Sequence, residues 1–149
     1  MSNSPNTQPI FIRTPRIASL VLSTQVADIL PTSTAVPPTL ISGNDPSTAI
    51  ESIEIINTGA AVATIFNLYI YNINGTQGQS RLISQTAIPA TTTAPYSPII
   101  VLLPSTLSPV NNLSPSRIIR LPQGWELRAA LTTAIATPVI VTAFGGDYA

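Results

Sequence analysis

The sequence predicts an all-β protein: an antiparallel β-sandwich, jelly-roll-like or immunoglobulin-like, of roughly seven to nine strands with an extended N-terminal arm. Three observations point there. Apolar residues recur with period two in short runs, the spacing that puts alternate side chains on one face of a sheet. The runs are separated by turn formers, with 15 prolines and 7 glycines among 149 residues,. No run carries the period of an amphipathic helix, and no segment repeats another. Which strands pair is left open.

The organising element is the run AVATIFNLYIYNI at 61–73. Val62, Thr64, Phe66, Leu68 and Ile70 share the parity expected to fill a core, while Ala61, Ala63, Ile65, Asn67, Tyr69 and Tyr71 share the parity expected on a mixed outer surface. The Asn- and Gly-rich stretch 72–80 can supply the positive φ angles of a reversal, and 81–88 reads as the returning strand.

Ahead of this hairpin, 16–22 reads as a strand with Ile17, Ser19 and Val21 on one face and Ala18, Leu20 and Leu22 on the other. Residues 26–30 continue it or pair with it. The proline-rich stretch 31–47 is expected to be a loop holding a short strand at 39–42. Residues 49–57 are strand-like, with Ile53 and Ile55 inward and Ser52 and Glu54 outward. A helix is disfavoured there because β-branched residues lose rotamer freedom in helices. After the hairpin come a Thr/Pro loop at 89–98, an apolar run at 99–103 expected to be buried on both faces, and a long loop at 104–116. Strands at 117–121, 125–131 and 138–144 complete the chain. Trp125, Leu127, Ala129 and Leu131 share a face, and Gly145-Gly146 is expected to be an exit needing positive φ.

Residues 16–149 fit one domain with one core. Residues 1–15 are expected to be a flexible arm without the basic start and apolar middle of a secretory signal. Ile10-Phe11-Ile12 interrupts that polar lead. It reads either as a first edge strand or as an arm that orders on a neighbouring subunit, with Phe11 as anchor and Arg13 and Arg16 as polar contacts.

Composition narrows the function. There is no cysteine, no histidine and no lysine, and the six basic residues, all arginines, balance six acidic ones. Thiolate metal sites, disulfides and the commonest acid/base group are thereby excluded. No basic excess is present to hold a nucleic acid backbone or an anionic membrane. Only 8% of residues are charged, against about 25% in ordinary globular chains. So sparse a charge suits a surface largely covered by other subunits.

No catalytic constellation stands out. Glu51 and Glu54, an odd number apart, fall on opposite faces of a regular strand. Asp28, Asp45 and Asp147 lack calcium-loop spacing, and the many serines and threonines lack an activating base. Asn74-Gly75-Thr76 matches a glycosylation acceptor but is explained by hairpin chemistry. No cofactor or metal is expected. Tyr69 and Tyr71, with Tyr96, could form a sugar-stacking platform, which makes a carbohydrate-binding module one alternative; otherwise they cover a sheet or meet a packed subunit. Trp125 is expected to anchor the core.

RIIRLPQGWELRAA (117–130) and VIVTAFGGDY (139–148), with an upstream IESI-x-I strand (50–55) and an L-x-I-Y strand (68–71), resemble small phage and prophage virion proteins. The resemblance spans roughly residues 50–148. It implies a virion structural component, a capsid decoration or cement protein that binds the major capsid protein at the capsid surface, with a tail, neck or fibre component as the alternative. It implies no catalytic residues, a homo-oligomer with a trimer as one form, and synthesis in a bacterial cytoplasm. On that reading the interface candidates are Ile10, Phe11, Arg13 and Arg16 in the arm, Leu107, Val110 and Leu113 in the long loop, and Tyr69 and Tyr71.

Overall fold

The structure, a computed structural model, describes residues 14–24, 37–74, 80–103 and 118–148. They form nine strands and no helix: β1 (Thr14–Leu22), β2 (Thr39–Ser42), β3 (Ser47–Asn57), β4 (Thr64–Asn72), β5 (Arg81–Ile88), β6 (Ile99–Ile100), β7 (Ile119–Pro122), β8 (Trp125–Leu131) and β9 (Val139–Asp147). One sheet runs β1-β9-β3, with β6 and β7 both on the far edge of β3; the other runs β2-β8-β4-β5. All pairs are antiparallel.

The pairs are nested: β1 with β9, β2 with β8, β3 with β6 and β7, and β4 with β5. The chain is thus one long hairpin with β4 and β5 at its tip, wrapped so that successive rungs alternate between the two sheets. This is the jelly-roll arrangement, which decides between the two sandwiches left open by the sequence. β4 lies between β8 and β5, so the expected central strand is central to its sheet.

Period-two patterning builds the core. Leu22, Ile50, Ile53, Ile55, Val139, Val141 and Ala143 face Phe66, Leu68, Leu127, Ala129 and Leu131 across the sandwich. Burying each large aliphatic side chain stabilises the fold by roughly 1.5–3 kcal/mol before chain entropy is counted. Strands β2, β5 and β8 take the expected bounds, and Ile53 and Ile55 point inward as expected. Trp125 packs half-buried against the core rather than within it.

Elsewhere the structure corrects the sequence reading. The central strand starts at Thr64, so Val62 precedes it and is 55% exposed. Asn67 and Tyr69, expected on the outer surface, are fully buried. The run at 99–103 is buried on one face only: Val101 and Leu103 are covered, whereas Ile100 and Leu102 are 59% and 64% exposed. β9 continues through Gly145 and Gly146 to Asp147, and neither glycine has positive φ. Gly145 is instead a close-approach position, since a Cβ there would collide with the Ala49 carbonyl oxygen. A bulge between Ile50 and Ser52 breaks the alternation of β3. Glu51 is exposed and Glu54 half-exposed, so the two carboxylates do not point to opposite faces; neither enters the core. β1 begins at Thr14, inside the expected arm. Residues 1–13, 26–30 and 104–116 lie outside the described residues.

Candidate interaction surface

Three surfaces collect the functional candidates. The first is the outer face of the β1-β9-β3-β6 sheet. Its register sets Ile17 beside Phe144 and Phe144 beside Ser52. The next row is Ser19, Thr142, Glu54 and Ile100, and the third is Val21, Ile140 and Ile56. A sandwich strand normally turns polar residues outward, but this face is lined by aliphatic side chains. Ile17 is 67% exposed, Val21 55% and Ile140 37%, with Ile100 and Leu102 beside them. Ser19 and Thr142 join hydroxyls across the strands at 3.0 Å. Glu54 brings a carboxylate into the middle row. At the end of the sheet Arg120, opposite Ala49, stacks its guanidinium 5.0 Å from the centre of the Tyr148 ring. The signal for this face is present in the sequence: β1, β3 and β9 carry large apolar residues on both parities.

The second is a polar latch at one end of the sandwich. The Thr48 hydroxyl donates to Asp147 Oδ1 at 2.6 Å and accepts from Arg16 Nη1 at 3.1 Å and the Asn44 amide at 3.0 Å. Asn44 Nδ2 donates to Asp147 Oδ2 at 2.8 Å. Arg16 Nη1 also reaches Asp147 Oδ1 at 3.3 Å and the Ser42 carbonyl oxygen at 2.5 Å, which stitches β1 to the opposite sheet. Burial alone would raise the Asp147 pKa. The hydrogen bonds from Thr48 and Asn44 and the charge and hydrogen bond of Arg16 outweigh it and hold the carboxyl below its ordinary value,. Arg16, expected to contact a neighbour, is thus engaged within its own chain.

The third is the outer face of the β2-β8-β4-β5 sheet. Here Arg128 lies 3.7 Å over the Tyr71 ring and pairs with Glu126 at 2.9 Å. Glu126 also accepts from Thr39 and Ser42. Asn67 accepts from Gln85 and donates to Thr132. The tyrosine platform does not form. Tyr69 is fully buried, Tyr71 has one ring face covered by Arg128, and Tyr96 sets its hydroxyl against Gly59, at the other end of the sandwich. Ile10, Phe11, Arg13, Leu107, Val110 and Leu113 lie outside the described residues.

Among the described residues no group of three or more His, Cys, Asp or Glu could hold a metal ion. A shallow, open cleft of about 550 Å3, lined by residues including Ile65, Ala87, Ile88 and Thr133, offers aliphatic walls and threonine hydroxyls without a charged group to orient a ligand,.

The chain matches no protein-family model and no curated protein. Among solved structures it is similar to that of infectious bursal disease virus, Gt strain, at 16% identity and a TM-score of 0.30, over 89% of this chain and 38% of that one. It is also similar to a mutant VP2 protein of infectious bursal disease virus from derived T=1 particles, at 17% identity and a TM-score of 0.24, over 90% of this chain and 37% of that one. This chain spans less than two-fifths of the length of those proteins. Such distant likenesses add nothing to the strand order, on which the jelly-roll assignment rests.

Proposed function

We propose that this protein is a virion structural component, a capsid decoration or cement protein that works by being bound. The observation that carries the reading is the apolar outer face of the β1-β9-β3-β6 sheet. Monomeric soluble proteins rarely leave a contiguous apolar patch larger than a few hundred Å2 open to water, and larger ones mark interaction sites. A composition with only 8% charged residues fits a molecule whose working state is packed among other subunits,. The resemblance to phage virion proteins adds the kind of particle. Its motifs lie in β3, β4, the β7–β8 turn and the end of β9, all framework rather than chemistry.

As cement the protein bridges neighbouring capsomers of the major capsid protein. Each bridge buries surface that must be exposed again before the capsomers separate, so a shell under internal pressure resists rupture. Electron cryomicroscopy of the assembled particle tests the reading. Density fitting this jelly roll between capsomers on the icosahedral shell is the expected result. Density on the tail axis alone would make it a tail or neck component, and absence from purified particles would overturn the virion reading.

A further inference from the structure

We infer that the apolar outer face of the β1-β9-β3-β6 sheet is covered by the same face of a second copy of this chain, in a two-fold, face-to-face pair. The inference rests on the reading above only in taking the face to be covered in the working state; it needs no virion.

Size is the first argument. Strands roughly 4.8 Å apart rising about 3.3 Å per residue give β1, β9 and β3, with the short edge strands β6 and β7, a flat footprint on the order of 500 Å2,. Side chains standing off that footprint bring its accessible area to the order of the ~800 Å2 that each partner buries in a stable pair. β1 and β9 are each nine residues long, and the patch continues across β3 to Ile100 and Leu102.

Charge is the second argument. The sequence is formally neutral, so two copies approach without net repulsion. The charged groups on the face lie at two levels of β3: Glu54 in the row of Ile100 and Thr142, and Arg120 opposite Ala49. A two-fold axis lying in the interface across the strands, at the row of Ile17, Phe144 and Ser52, runs β3 antiparallel over its counterpart. It sets Ile17 and Phe144 against their own counterparts, lays Glu54 over Ala49 of the partner subunit, one strand spacing of about 4.8 Å to the side of Arg120 of the partner subunit, and the reverse, and places Ile140 over Tyr148 of the partner subunit,. In an isologous interface every such contact is made twice. The exposed Glu51 sits at the bulge near that axis, so it and its counterpart approach one another in the pair.

Sedimentation velocity of the purified full chain over about 1–100 µM tests the pair, a range that covers ordinary weak to moderate association. The expected result is a concentration-dependent dimer. I17K/L102K replaces two residues 67% and 64% exposed in the single chain, so the core is untouched; burying two lysines in the pair should raise the dissociation constant about 100-fold or more. Circular dichroism of that variant is expected to be unchanged. E54R and R120E should each weaken the dimer about tenfold, and E54R/R120E should recover most of the loss. A wild-type chain that stays monomeric overturns the inference and frees the face for a shell protein, leaving the virion reading intact. A dimer insensitive to I17K/L102K uses another surface and overturns it as well, and a charge-swapped double variant no tighter than the singles overturns the two-fold register.

Discussion

Thr48 shows how one hydroxyl joins the two sheets. It is fully buried, and its single oxygen answers Arg16, Asn44 and Asp147 at once. Replacing it with valine keeps the shape but leaves the Asp147 carboxylate short of a donor and the Asn44 amide short of an acceptor. Thr48→Val should therefore cost about 1–3 kcal/mol of unfolding free energy in urea titrations. A loss under about 0.5 kcal/mol would mean the remaining contacts suffice. The same cluster sets a pH response. Because folding lowers the Asp147 pKa, its contribution is complete above the ordinary carboxylate range and is lost as pH falls through the lowered folded value,. Asp147→Asn should reduce stability at neutral pH and flatten the acid limb of a stability-versus-pH curve. An unchanged acid limb would assign the acid response to other carboxylates.

At the scale of the element, β2, β5 and β8 fall where the sequence predicts them, helped by punctuation at one or both ends: Pro38 and Gly43 flank β2, Pro89 follows β5 and Gly124 precedes β8,. β9 escaped that reading. Gly145-Gly146 looks like an exit when glycine is read for its φ range, whereas here the missing Cβ lets β9 lie against the Ala49 carbonyl. Gly145→Ala should therefore destabilise by about 3 kcal/mol or more, beyond ordinary overpacking, since rigid backbone on β3 must move; thermal unfolding would measure it. Gly124, which does hold positive φ (+87°) in the β7–β8 turn, should lose less to alanine, about 1–2 kcal/mol, because the added Cβ meets only the end of the Asn74 side chain and the cost is mainly the backbone conformation,. Glu51 was misplaced for a different reason. The bulge resets the alternation, so Ile50 and Ile53 both face the core three residues apart; in a run that also carries Ile56 on the outward parity, spacing alone does not single out that reset,. The interaction face was half legible: Ile17, Val21, Ile56 and Ile140 are visibly apolar on the outward parity. Only the strand order, joining sequence-distant β1, β9 and β3, turns those scattered residues into one patch.

Across the whole molecule, the proposed contacts divide between two regions. The arm residues and the long loop carry the proposed contacts to a shell, whereas the sheet face carries the proposed self-association, so the two are separable. Removing residues 1–13, which leaves β1 whole, should lower occupancy on particles about tenfold or more if Phe11 and its neighbours anchor the arm,. The dimer measured by sedimentation should survive that truncation. Full occupancy by the truncated chain, read from the protein composition of purified particles, would remove the arm from the binding surface.

The nested pairing also orders events in time. β4 and β5 can find each other across a short reversal, but Thr14 meets Asp147 only after nearly the entire chain has been gathered. Closing so large a loop is entropically costly, and folds dominated by such distant contacts form slowly. β9 supplies the shared neighbour of β1 and β3, so until it inserts, both strands keep an unpaired edge able to accept a strand from another chain,. The slowest step of folding and the window for misassembly are therefore the same event: the arrival of the last strand between the first and the third.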